Sequence, residues 1–474
     1  MKPSATRVRW LVAGAFHPSP THQRFLVTEQ SLGERLRQAA AGLRVPVVDR
    51  LGTGDTRAEG LSFDSLDAFC LSGVIEALPD LRALRALREA LAHERPLAPG
   101  DAAHLREVLG DGPLTQALAR VRSSRAASLA LVEQALFGTA RDLLNHPLVA
   151  RLESAWRGLH WLWTQCPASS GMELEVLDVG PEALLDVLSE HLEGPALQRP
   201  DACFLLDVDG APGTLERLAA LGERAWLPLV VGVPAERVGS GAASAPDFRP
   251  SEAWSRLRAD EASRWLCAAL NPVVVRAEQH GDIQDACFAS PALGVAALLA
   301  AGFRDTHTFA RLVGPGSAVQ APAAWRPREG APGAFVATEA CLSLREQERL
   351  ASRGLAGVSG WWESRAVNLA AAPTVYGGRD AAPLPAQLLT GRIVRLALEI
   401  AERLPAQASP DAVAEVCARA ARAFLPSGPE PRCELQGQVV ALGRGERGLR
   451  VRAALPPRLA GTQVSLELTL PLRA

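Results

Sequence analysis

Residues 145–163, NHPLVARLESAWRGLHWLW, constrain this chain more than any other stretch. At about 100° per residue, Leu148, Val149, Leu152, Ala155, Trp156, Leu159, Leu162 and Trp163 fall in one apolar arc. Glu153 and Arg157 lie opposite that arc, in the carboxylate-first i,i+4 order that favours an ion pair. Asn145 is placed to cap the helix, and Pro147 suits its first turn. Trp161 projects on the Arg157 face, so the helix is expected to pack on two sides. A buried structural helix accounts for the pattern, and no residue in it requires chemistry.

The rest of the chain frames that helix. With 48% hydrophobic and 22% charged residues, the 474-residue chain has ordinary globular composition. A formal net charge of −2 gives no general attraction to nucleic acid or anionic membrane. Lys2 is the only lysine, so lysine chemistry is absent from every potential active site. The eight cysteines, Cys70, Cys166, Cys203, Cys267, Cys287, Cys341, Cys417 and Cys433, form no CxxC pair and no zinc-finger spacing with histidine. Most lie in apolar runs and read as buried, reduced thiols. No stretch has the apolar length of a membrane span, and the opening segment reads as a strand rather than a signal peptide, so a cytoplasmic protein is expected.

Periodicity divides the chain. Residues 7–15 read as a strand, 32–43 as a helix, 45–48 and 61–63 as short strands, and 74–91 as one or two helices. Breaker clusters RPLAPGD and the Gly110–Pro113 stretch point to a linker near 95–113, before helical residues 114–144. Strands and helices then alternate: strand 172–179, helix 181–192, strand 202–208, helix 214–226, strand 227–233, helix 262–270 and strand 273–276. That order argues for an α/β sheet. A helix over 291–303, a Gly/Pro-rich loop over 313–333 and a helix over 384–406 follow. Clean alternation over 432–471 predicts an antiparallel β-meander, with Leu435, Val439, Leu449, Val451, Val464, Leu466 and Leu468 facing one side.

The residues His146-Pro147, Leu152-Glu153 and Trp156-Arg157-Gly158-Leu159 resemble the HP-x-x-x-x-LE-x-x-WRGL signature of the type VI secretion contractile-sheath large subunit, the TssC (VipB) family. Residues 335–343 and those after them resemble that family's CPTEVAITDRRE-x-EL stretch: Thr338-Glu339, Arg345-Glu346 and Leu350 are kept, followed by Gly354. Upstream, residues 11–16, the run Phe63-Asp64-Ser65-Leu66-Asp67-Ala68-Phe69 and residues 81–91 resemble the sheath small subunit, the TssB (VipA) family. The resemblance implies a contractile-sheath fold of mixed α/β class, with a central α/β sheet and the C-terminal meander. It divides the chain into a small-subunit-like part (6–95), a linker with helices (96–131) and a large-subunit-like part (132–474). There are departures. The PRvLlR-x-PYG segment is represented by Asn271-Pro272-Val273-Val274-Val275-Arg276 without the PYG. Arg392-Ile393-Val394-Arg395-Leu396 replaces the RFAHYLK-like motif, and the large-subunit part is short.

Two motifs suggest catalysis. Phe204-Leu205-Leu206-Asp207-Val208-Asp209-Gly210 resembles the first motif of haloacid-dehalogenase-type phosphatases. Position 211, however, is Ala where a hydroxyl is needed, and no lysine beyond Lys2 is present to hold a phosphoryl group. Gly443-Arg444-Gly445-Glu446-Arg447-Gly448 fits GxGxxG, yet strands flank it where a dinucleotide site needs a following helix. His160 reads as a packing residue, and Trp361-Trp362 as core rather than a partner anchor.

The resemblance therefore implies a non-enzymatic structural protomer of a type VI contractile sheath, with no cofactor and no metal. It would polymerise with itself by strand exchange, using the C-terminal strands and residues 7–15, around an Hcp-type inner tube on baseplate components. In the family a ClpV-type AAA+ unfoldase recycles contracted sheaths through a helix at the large subunit's N-terminus; here the matching residues, about 114–136, are internal, so weak or absent binding of such an unfoldase is expected. A non-polymerising sheath-end or assembly accessory protein is the second reading, and the phosphatase is the third.

Overall fold

The computed structural model describes residues 8–48, 56–121, 124–240, 249–281, 283–327, 333–405, 407–424, 434–443 and 446–472. Lys2, Arg7, Cys433, Arg444 and Gly445 lie outside the described residues. The centre is a seven-stranded sheet in the order Leu355–Gly357, Leu266–Leu270, Leu229–Gly232, Ala202–Leu205, Val8–Gly14, Met172–Asp178, Arg24–Leu26. All neighbours run parallel except the last pair. The chain's first strand therefore sits inside the sheet. Val8 to Gly14 is in register with Met172 to Asp178 on one side, and Trp10 to Ala13 with Ala202 to Leu205 on the other.

Its side chains explain that position. Trp10 and Val12 enter one core cluster with the helices Pro147–Thr164 and Pro291–Thr306. Leu11 and Ala13 enter a second, with Leu184–Leu192, Pro212–Ala225 and Glu252–Ala259. A strand apolar on both faces belongs where helices cover both faces, as in doubly wound α/β folds. The mixed α/β class is as expected.

Several local expectations shift. The first helix is Glu29–Ala39, capped by a Thr28/Ser31 box, while Leu43 already starts the strand Leu43–Val48. That strand forms a hairpin with Thr56–Leu61. Pro79 splits the next helical stretch into Leu71–Ala77 and Pro79–His93. The breaker-rich linker contains a helix, Pro99–Leu109, because Pro at the first helical position starts one at no hydrogen-bond cost. The helix expected over 262–270 is instead a short 3-10 turn, Glu261–Trp265, followed by the fully buried strand Leu266–Leu270. A short apolar run covered on both faces has no period that separates helix from strand.

The C-terminal meander is present as Glu434–Gly443, Glu446–Leu455 and Val464–Pro471, all antiparallel. A helix absent from the sequence reading, Pro410–Phe424, lies under its first strand. A Cβ on Gly437 would stand 2.2 Å from Cys417 Sγ, so glycine permits that close approach. The helix Leu384–Arg403 carries the other two strands.

Candidate functional site

The tryptophan helix is Pro147–Thr164, and its cap is His146 rather than Asn145: His146 Nδ1 accepts from Leu148 N at 3.3 Å. Asn145 closes the preceding helix, Arg125–Leu144, and its amide donates to Asp285 Oδ1 at 2.8 Å. Leu152 and Leu159 are buried, and Trp156 is 2% exposed. Its indole N–H donates to Phe16 O at 2.9 Å, and its ring meets Phe16 edge-on at 5.3 Å. Trp161 is buried on another side, donating to Gln320 O at 2.8 Å. Gly158 is required by contact: a Cβ there would come within 2.5 Å of Leu293 Cδ1.

Glu153 departs from its expected place opposite the apolar arc. It is 0% exposed and accepts from Arg157 Nε at 2.7 Å and from Arg276 Nε and Nη2 at 2.5 and 3.0 Å. Arg276 also reaches Asp285 at 2.6 Å and Glu278 at 3.1 Å. Burial disfavours the Arg276 charge, but Glu153 and Asp285 outweigh it and hold the guanidinium well above its ordinary pKa. Arg157 extends the network: Nη2 donates to Leu66 O at 2.7 Å and Phe69 O at 2.9 Å. The Phe63–Phe69 run is thus fastened to the Trp156-Arg157-Gly158-Leu159 helix by one guanidinium, and Phe63 stacks on Phe69 at 4.0 Å.

The other marked residues are spread out. Thr338 is buried, its hydroxyl donating to Ala340 O at 2.6 Å and accepting from Gly360 N at 2.9 Å. Glu346 completes a capping box with Ser343 at the start of Leu344–Ala351, and Arg345 beside it is exposed. The S-x-x-E spacing of Ser343 and Glu346 is the sequence signal for that helix. Asn271 takes a left-handed φ of 74°, and its side chain ties Ala340 and Val358. Arg392 and Arg395, both buried, share the Asp201 carboxylate. The arginines at the altered motif positions are therefore structural.

The phosphatase-like aspartates are engaged in the same manner. In doubly wound sheets, ligands enter where the strand order reverses, outside the C-terminal strand ends. Here that place, beside Val8–Gly14, is closed by residues 15–21. Asp178 accepts from Phe16 N, Thr21 N and Thr21 Oγ1 at 2.7–2.9 Å. Asp207 Oδ2 accepts from Ala15 N at 2.7 Å, and burial raises its pKa. Asp209 caps Ala211 N at 2.9 Å. Gly443 pairs with Glu446 across a hairpin, with strand on both sides. No cluster of three metal-ligating side chains occurs among the described residues, and none of their helices is long and apolar enough to cross a membrane.

Surfaces that can bind a neighbour are of two kinds. The C-terminal sheet has two outer strands, Glu434–Gly443 and Val464–Pro471, each paired on one side only among the described residues. Unpaired backbone edges are templates for strand addition. Of residues 7–15, expected to be exchanged as well, residues 8–14 form a strand paired on both sides within the chain, and all of these but Arg9 are buried. The second surface is aromatic. Trp361 and Trp362 are 41% and 43% exposed, against the expectation of a core position.

No protein-family model matches the chain, and no curated protein does. Solved structures with some likeness include three assemblies. The anti-feeding prophage baseplate chain is 11% identical, with 68% of this chain and 78% of that one covered and a TM-score of 0.38. The contracted PVC sheath complex of an extracellular contractile injection system is 11% identical, with 70% and 81% covered and a TM-score of 0.38. The contracted anti-feeding prophage helical sheath is 13% identical, with 68% and 79% covered and a TM-score of 0.35. Likeness at that level assigns neither partner nor activity.

Proposed function

We propose that this chain is a structural protomer of a type VI contractile sheath, with small- and large-subunit-like parts joined in one polypeptide. The observation that carries the reading is the junction at Arg157, where the motif resembling one subunit meets the motif resembling the other. The division at 6–95, 96–131 and 132–474 is then one of ancestry and not of folding, because residues 8–14 and 24–26 complete a sheet whose other five strands come from residues 172–357. Assembly proceeds by strand addition at the open edges of the C-terminal sheet, around an Hcp-type tube and onto a baseplate, in the cytoplasm. Covalent linkage fixes a one-to-one ratio of the two parts and keeps them at roughly millimolar effective concentration.

Electron microscopy of the overexpressed chain, without a separate small subunit, tests this. Tubes or rings are expected. A monomer by light scattering at every salt and protein concentration would refute polymer formation. The missing PYG and RFAHYLK-like sequences favour the accessory reading in that event.

A further inference from the structure

A cleft of about 1240 Å³ opens at the C-terminal ends of Ala202–Leu205, Leu229–Gly232 and Leu266–Leu270. It is separate from the closed reversal point at Phe16, and Glu339 of the sheath-like motif lies on its lining with no function assigned by that resemblance. Three carboxylates line it, Glu236, Asp285 and Glu339, against one guanidinium, Arg141. Asp285 is already neutralised by Arg276 and bound by Asn145, and Arg141 lies one helical turn before Asn145, at that end. Glu236 and Glu339 form no ion pair with any described residue. Burial raises the Glu339 pKa, and the Glu236 charge adds to it.

Two neighbouring carboxylates without a cation favour a cationic occupant. The cleft also offers indole surface. Trp325 is fixed by Phe288, edge-on at 5.1 Å, and by its N–H to Thr338 O at 2.8 Å. Trp362, on the lining, keeps 43% of its surface exposed. A planar guanidinium satisfies both demands, donating to two carboxylates from its fork and stacking on an indole, which a lysine ammonium does less well. The volume exceeds the roughly 300–1,000 Å³ of small-molecule sites, and so suits several residues of chain. An anion is disfavoured: the helix Pro291–Thr306 starts at the cleft, but Ser290 Oγ already accepts Ala292 N there.

We propose that this cleft binds an arginine-bearing extended segment of a partner polypeptide, with the guanidinium between Glu236 and Glu339 and against Trp362. The test uses the full chain, titrated by calorimetry with an acetylated Gly-Pro-Arg-Pro repeat peptide and with its citrulline counterpart, which is neutral and nearly the same shape. The arginine peptide is expected to bind about tenfold tighter or better, with indole fluorescence changing on binding. Glu236→Gln combined with Glu339→Gln should abolish that preference, and Trp362→Ala should weaken binding without changing the melting temperature. Neither glutamate side chain belongs to the core, so the paired variant is expected to keep the wild-type melting temperature. Equal affinity for the two peptides, undiminished binding by the paired variant, or no binding at millimolar peptide would overturn the proposal, as would preferential binding of inorganic phosphate in the cleft.

Discussion

Replacing Glu153 with Gln is the sharpest perturbation of the junction. The carboxylate takes three charge-assisted donors, one from Arg157 and two from Arg276, at 2.5–3.0 Å and 0% exposure. Glutamine keeps one acceptor oxygen and presents an NH2 group where the second stood, so at least one guanidinium N–H is left facing a donor. Breaking a buried ion pair by altering one partner costs about 3–5 kcal/mol. Arg276 retains Asp285 and Glu278, which places the expected loss near the lower bound, about 3 kcal/mol. With an unfolding entropy of about 2.1 cal/mol/K per residue, the chain as one cooperative unit loses about 3 °C in Tm. Differential scanning calorimetry reads this directly. Arg157→Ala removes the Glu153 contact and the bonds to Leu66 and Phe69, so it should also speed amide exchange across residues 63–70. A double-mutant cycle with both changes should show coupling above about 0.5 kcal/mol. A Tm within about 1 °C of wild type for Glu153→Gln, or strict additivity in the cycle, would refute the reasoning.

Four further outcomes are expected. Trp156→Ala empties a buried aromatic site and orphans Phe16 O, so it should cost about 3–5 kcal/mol in chemical denaturation; a wild-type midpoint would contradict two-sided packing. Deleting residues 462–474 should leave a protomer with native circular dichroism that forms no tubes, and retained tubes would remove Val464–Pro471 from the assembly mechanism. Maleimide labelling of the native chain at mildly alkaline pH should spare Cys166, Cys203 and Cys267, whose pKa values burial pushes up to about 12, and among the described cysteines reach Cys70 and Cys341 first; mass spectrometry of the peptides decides. A ClpV-type unfoldase should bind the chain weakly or not at all, because Val132 is 0% exposed inside the helix Arg125–Leu144; low-micromolar binding abolished by Leu129→Asp with Val132→Asp would show the opposite.

What the sequence disclosed depended on how local the cause was. The tryptophan helix was legible because a 3.6-residue period, a proline and an i,i+4 pair all lie within nineteen residues. The meander was legible because one covered face produces alternation, as at Leu449, Val451 and Ala453. Glu153 was misjudged because the partner that keeps it buried, Arg276, is 123 residues away and leaves no mark on the helix. Asp285 and Asp178 carried no signal for the same reason. Trp361 and Trp362 differ: apolarity argues for burial, but both indoles are exposed and Trp362 borders an open cleft, and residue type alone does not separate core from unfilled site.

The position of the first strand ties these points together. Residues 8–14 pair in parallel with residues 172–178 and 202–205, so about 160 residues must be looped before the centre of the sheet closes. Closing such a loop costs entropy that grows only with the logarithm of its length, but parallel long-range pairing forms slowly. Local elements, including the hairpin of Leu43–Val48 with Thr56–Leu61 and the helix Pro147–Thr164, can form first. Arg157 then has a specific task, since its bonds to Leu66 and Phe69 hold the early segment against the helix that covers the same sheet face as Trp10. Were the two parts separate chains, that closure would be a binding step dependent on concentration. Joined, it is intramolecular, and the stoichiometry of the sheet cannot vary.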